Sequence, residues 1–172
     1  MILALLILLA APQAGTPLVD LLTRARDHIE AGDETAARAD LDEALRLHPT
    51  SPAVRNFLGV LAASAGGYEE AEQRFREAVQ RDPRYTDAWL NLGRLHQENA
   101  AEDPGAPGKA LAAYEAILGY EPGHREARFQ VAALRQSLGE LERSQSELSR
   151  LPPEDRDRPS ALAVALANHA AR

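Results

Sequence analysis

Prolines recur at Pro49, Pro83 and Pro122, and each closes a stretch in which two amphipathic segments run back to back. The first two lie 34 residues apart and the next two 39. Glycines keep the same beat: Gly32 to Gly66 is 34, and Gly66 to Gly139 is 73. Both markers agree if the third unit carries five extra residues, and Glu102-Asp103-Pro104-Gly105-Ala106-Pro107-Gly108 is the stretch a helix would not tolerate. A fixed period in this range limits the fold sharply. A unit of that size cannot bury its apolar face alone, so it must stack on its neighbours as a solenoid.

Local signals place the helices. Thr16-Pro17 and Ser51-Pro52 put a capping hydroxyl before a proline at the first helical position, and Thr86-Asp87 can start a helix in the same manner. Gly32, Gly66 and Gly139 sit where a first helix stops and turns. Apolar spacing then predicts helix pairs at 17–31 and 34–47, 52–65 and 68–81, 86–100 and 108–119, and 124–138 and 141–150. Leu151-Pro152-Pro153 ends the last pair, Glu154-Asp155-Arg156-Asp157-Arg158 reads as a charged linker, and Pro159-Ser160 opens a final alanine-rich helix. Nothing alternates like a strand, so the fold class is all-α.

The residues inside each unit resemble the tetratricopeptide repeat pattern, W-x2-L-G-x2-Y, then A-x3-F, then P. The third unit matches with Trp89, Leu92, Gly93, His96, Ala110, Tyr114 and Pro122. The second has Leu58, Gly59, Ala71, Phe75, Ala78 and Pro83, with Arg55 and Ala62 in place of two aromatics. The first has Leu21, Ala25, His28, Ala37, Leu41, Ala44 and Pro49; the fourth has Val131, Ala132, Ser144 and Leu148, with its second helix cut short at Pro152. Small residues such as Gly59 with Ala71, or Gly93 with Ala110, are expected to let paired helices approach closely. The resemblance implies a right-handed helical-hairpin solenoid of about four repeats over 17–151 (17–51, 52–85, 86–122 with the insert, 123–151), followed by a linker at 152–159 and a capping helix at 160–172. Leu166-Ala167 keeps open the alternative that 160–172 begins a further repeat.

In this family the stacked first helices line a concave groove. The resemblance places Leu22, Arg26, Asn56, Leu90, Arg94, Gln97 and Phe129 on it, with Val60, Ala63, Glu126 and others beside them. That mixture suits a protein or peptide ligand with apolar anchors and an acidic group for Arg26 or Arg94. Leu22 and Arg26 stand where one subset of the family begins a carboxylate clamp with lysine and asparagine, which speaks against chaperone-tail binding of that kind.

Composition removes several other functions. Net charge is −7 and no basic cluster exceeds two residues, so nucleic acid is not an expected partner. The chain has no cysteine, which excludes disulfides, thiolate catalysis and cysteine zinc sites. Of its 19 basic residues only Lys109 is a lysine. Pro104 to Lys109 is too short in glycine spacing for a phosphate loop, and Ala110 follows where Ser or Thr would hold Mg²⁺. The histidines His28, His48, His96, His124 and His169 make no paired ligand motif. Glu69-Glu70 and Asp40-Asp42-Glu43 read as solvated faces. No catalytic, metal or cofactor-binding residue is assigned, and an enzyme is not expected.

Ile2 to Ala11 is an unbroken apolar run, too short for a bilayer span but of the length of a signal-peptide core. Residues 1–15 are therefore expected to be an export signal, although no Lys or Arg precedes the run and no Ala-x-Ala pair marks a cleavage point; a hydrophobic helix packed on the array is the alternative. The combined expectation is a non-catalytic scaffold that binds a protein or peptide, located in the periplasm or secreted and serving envelope assembly or secretion, with a cytoplasmic location as the alternative. An accessory segment of a larger enzyme or sensor, and a self-assembling homo-oligomer, remain open.

Overall fold

Residues 16–170 are described by the computed structural model of the chain, and among them every regular element is helical. Helices α1 (Leu18–Glu30) and α2 (Glu34–Leu47) form a first hairpin, and α3 (Pro52–Ser64) and α4 (Tyr68–Arg81) a second. The third is α5 (Thr86–Glu98) with α6 (Ala106–Tyr120), and the fourth α7 (Arg125–Ser137) with α8 (Leu141–Ser149). A one-turn helix α9 (Pro153–Arg156) leads into α10 (Pro159–Ala170). The all-α reading holds. The expectation for residues 1–15 lies outside the described residues.

Three of the hairpins turn in the same way. Gly32, Gly66 and Gly139 have φ of 75°, 77° and 79°, a region where an L side chain is strained. The residue after each glycine returns its N–H to the first helix: Asp33 to the His28 carbonyl at 2.8 Å, Gly67 to Ala62 at 2.9 Å and Glu140 to Arg135 at 2.8 Å. Carbonyls that the helix end would leave bare are thereby satisfied. The third hairpin has no such glycine. Its insert is folded by Asp103, whose carboxylate accepts from the Gly105 N–H at 2.8 Å and from Lys109 Nζ at 2.7 Å. Helix α6 consequently starts at Ala106, two residues earlier than expected, because Pro107 falls in the first turn where its missing N–H costs nothing.

Capping differs in detail from the sequence reading. Ser51 caps α3 by accepting from the Val54 N–H at 3.4 Å. Thr16 does not cap, since α1 begins after Pro17 with no side-chain bond. Thr86 instead accepts a bond from the Tyr120 hydroxyl at 3.2 Å, joining α5 to the end of α6.

Consecutive helices pack as hairpins and each hairpin packs on the next, giving an inner layer of α1, α3, α5 and α7 and an outer layer of α2, α4, α6 and α8. The core is a row of aliphatic and alanine-rich clusters along the stack. Close approach comes from the glycines, but by a different partner than expected. A Cβ on Gly59 would lie 2.5 Å from the Phe75 ring, and one on Gly93 would lie 2.4 Å from that of Tyr114. The aromatic ring, and not Ala71 or Ala110, occupies the space.

Polar groups in the outer layer are more buried than a solvated face would be. Asp40 is buried against Arg24, with His28 Nε2 at 3.7 Å. Glu147 takes Arg128 at 2.5 Å on one oxygen and Arg135 and Arg150, each at 3.1 Å, on the other. Arg135 also reaches Glu115 at 2.6 Å, so this network ties α6, α7 and α8 together.

The supposed charged linker is likewise structured: Pro153 starts α9, and Asp155 is only 5 % exposed. Helix α10 packs on α7 and α8, where Ala161 and Val164 join Ala132, Leu148 and Leu151. Asn168 donates to Ser144 Oγ at 2.9 Å, and Ser144 donates to the Ala132 carbonyl at 2.7 Å. The outer side of α10 leaves Leu162 45 % and Leu166 69 % exposed. No helix among the described residues is long and apolar enough to cross a membrane.

Candidate functional site

The inner layer presents one continuous face, because each first helix turns the same side away from its hairpin partner. Ties between polar side chains cross this face from helix to helix. Asn91 Nδ2 on α5 donates to Asn56 Oδ1 on α3 at 2.9 Å. Arg94 on α5 reaches Glu126 on α7 at 2.7 Å, and Gln97 Nε2 donates to Gln130 Oε1 at 3.1 Å. Gln97 is fixed from below as well, since the Tyr114 hydroxyl donates to its Oε1 at 2.7 Å. Burial pushes the Tyr114 phenol well above its ordinary pKa, so it remains a donor.

The seven residues expected on the groove divide into three groups. Arg26 and Arg94 are exposed, but both already hold carboxylates: Arg26 those of Asp27 at 2.8 Å and Glu30 at 3.8 Å, Arg94 that of Glu126. These contacts raise both guanidinium pKa values, and being solvent-exposed they contribute little to stability and exchange readily. Leu22, Gln97 and Phe129 are half-buried along the face. Asn56 and Leu90, by contrast, are core residues. Leu90 is 9 % exposed and packs with Tyr114, Ile117 and Val131, so it is not the open anchor that its register suggested.

Two depressions interrupt the face. One of about 120 Å³ lies between α3 and α5, lined by Val60, Ala63, Asn91, Arg94 and Glu98 among others. A larger one of about 350 Å³ closes the C-terminal end, between α7, α9 and α10. Its walls are Phe129, Leu151 and Asp155, with Arg125, Glu126 and Arg158 at the rim. Glu126 and Phe129 were expected on the groove; Leu151, Asp155 and the two arginines were not. Their signal was present in Pro152-Pro153 followed by acidic residues, the signature of a helix start.

The chemistry of the face is that of contact. It offers hydrogen-bond donors, guanidiniums and apolar walls, and among the described residues no group of three metal-binding side chains comes together. The histidines serve structure where they are placed: His124 Nδ1 caps α7 by accepting from the Ala127 N–H at 3.1 Å, and His96 is buried between hairpins.

Family models described as tetratricopeptide repeat match residues 22–83 and 58–103 in one case and 101–168 in another, so together they cover most of the chain. The chain belongs to the tetratricopeptide repeat family. Solved structures agree on the fold. A tetratricopeptide repeat protein from Parabacteroides merdae superposes with a TM-score of 0.75 at 21 % identity, over 90 % of this chain and 60 % of that one, so this chain spans about three fifths of its length. YrrB, a tetratricopeptide repeat protein with an unusual peptide-binding site, gives 0.69 at 20 % identity over 90 % of this chain and 77 % of its own. The first repeat domain of Spaghetti (RPAP3), bound to the HSP90 peptide SRMEEVD, gives 0.60 at 19 % identity over 71 % and 95 %. At such identities the likeness is one of fold. The tetratricopeptide repeat match extends into α10, because the second model runs to residue 168.

Proposed function

We propose that this tetratricopeptide repeat protein is a non-catalytic scaffold that holds a partner peptide or protein segment along its inner face, with residues 17–151 as the binding array. The observation that carries the reading is the pair of depressions on that face, one beside Ala63 and Arg94 and one beside Phe129. Leu22, Gln97 and Phe129 supply contact surface, while Arg26 and Arg94 exchange their exposed carboxylate partners for an acidic group of the ligand. The peptide-binding site of one structurally similar repeat protein and the bound peptide of another support the reading. The apolar run Ile2–Ala11 supports a place outside the cytoplasm, in envelope assembly or secretion.

The test is affinity capture from an extract of the source cells, with the intact mass of the recovered protein read in the same preparation. Ala63→Arg, which fills the smaller depression from a half-buried position beside Phe75 and Leu95, should reduce partner recovery at least tenfold while the helical circular dichroism signal is unchanged. Unchanged recovery by Ala63→Arg removes the inner face from the mechanism. A mass retaining residues 1–15 removes the export signal. The exposed Leu162 and Leu166 favour one second reading, assembly through the end of the stack; a mass in solution that rises with protein concentration distinguishes it from a monomeric binder.

A further inference from the structure

Where the second hairpin meets the third, the start of α4, the end of α5 and the insert form a cavity of about 280 Å³. Helix α4 brings Tyr68, Glu69 and Glu72 to it, α5 brings His96 and Asn99, and the insert brings Glu102. His96 is its most buried polar wall, at 6 % exposure. The ring makes no hydrogen bond. Its Nε2 stands 3.7 Å from Glu72, beyond hydrogen-bond reach, and that carboxylate is already taken by Arg76 at 2.6 Å. Neither ring nitrogen is sealed from solvent, so the cavity gives access to them. Burial lowers the pKa of His96, which leaves the ring uncharged at neutral pH with one nitrogen a free acceptor. Glu69 and Glu102 are exposed at the mouth, and among the described residues no cation pairs with either. Lys109, another cation close to His96, is held by Asp103 at 2.7 Å. The Tyr68 ring is 42 % exposed at the same mouth.

These features select a cation that carries several donors. The acceptor nitrogen inside needs a donor, the two unpaired carboxylates outside attract positive charge, and the exposed ring offers a π face. An ammonium is a compact, strongly hydrated charge that meets the outer carboxylates equally well without entering. A guanidinium is planar and more weakly hydrated, and its donors diverge. One edge can meet His96 while another meets a carboxylate and the face lies on Tyr68. A metal ion would lack ligands, since no group of three metal-binding side chains comes together among the described residues.

We propose that this cavity receives an arginine side chain of a partner peptide or protein, its guanidinium donating to the free His96 nitrogen and pairing with Glu69 or Glu102. The site goes beyond the inner-face reading and does not depend on it. Leu95 is the one residue that this cavity shares with the smaller inner-face depression.

The experiment titrates the ¹⁵N-labelled full chain with three capped tripeptides, Ac-Ala-Arg-Ala-NH₂, Ac-Ala-Lys-Ala-NH₂ and Ac-Ala-Gln-Ala-NH₂, and follows it by NMR. The arginine peptide should shift the amides of Tyr68 to Glu72 and of Leu95 to Glu102, and should move the imidazole nitrogen signals of His96. It should bind about threefold or more tightly than the lysine peptide, and the glutamine peptide should shift nothing. Glu69→Gln combined with Glu102→Gln should weaken the arginine peptide about fivefold. Both positions are exposed and unpaired, so the fold is not at stake in that variant. Equal affinity for arginine and lysine, an unmoved His96 imidazole, undiminished binding by the double variant, or no shift at all overturns the proposal. Shifts confined to Val60, Ala63 and Asn91 also overturn it while leaving the inner-face reading intact.

Discussion

His96 sits between the second and third hairpins, buried, with Glu72 at 3.7 Å and Arg76, Lys109 and Asp103 as its other charged neighbours. Burial lowers its pKa more than Glu72 raises it. The folded protein therefore takes up this proton at lower pH than the unfolded chain. The contribution of neutral His96 is fully present above the ordinary value of 6.5 and is lost as pH falls towards the depressed folded value. The melting temperature should accordingly drop as pH is lowered from 7 to 5, and His96→Gln should flatten that slope. An equal slope in the variant would assign the loss to other groups. Residue roles of this kind were only partly legible in the sequence. Phe129, Arg94 and Gln97 could be placed on the inner face by register alone. Leu90 and Asn56 could not be recognised as buried, because burial there depends on how closely the neighbouring hairpin approaches. Asp155 escaped notice since a run of alternating charges reads as solvent-exposed until the two prolines fold it back.

Within a hairpin, the fit between helices is a matter of matched volumes. Where the first helix offers glycine, the second offers a ring: Gly59 meets Phe75 and Gly93 meets Tyr114. In the first and fourth hairpins the equivalent pairs are Ala25 with Leu41 and Ala132 with Leu148, and each pair shares one core cluster. A larger residue on one side thus accompanies a smaller one on the other. Gly59→Ala should destabilise by about 1–3 kcal/mol through the clash with Phe75, despite the gain in helix propensity. Adding Phe75→Leu should recover much of the loss, giving a favourable coupling of about 1 kcal/mol or more in denaturant titrations. Simple additivity would show that the ring moves aside at no cost. Helix positions and the hairpin order were legible because period, proline and glycine all mark them. The pairing partner was not, since the repeat pattern lists small and aromatic positions without saying which touch.

At the scale of the molecule, each hairpin touches its neighbours and little else, so stability is a sum of local terms. Helices α9 and α10 cover Phe129, Ala132, Leu148 and Leu151 at one end. Truncation after Leu151 should therefore raise hydrogen exchange in α7 and α8 by about tenfold or more, while α1 to α4 keep their protection. Loss of protection throughout would mean that the array folds as one cooperative body. The same one-dimensional arrangement gives unusual importance to the insert at the third turn, where the whole chain's only lysine is held by Asp103. That contact raises the pKa of Lys109 and so withholds the neutral amine that acylating reagents require. A fluorophore or cross-linker aimed at side-chain amines has one address on this protein, and the rate at which it attaches is a clock for the release of that loop.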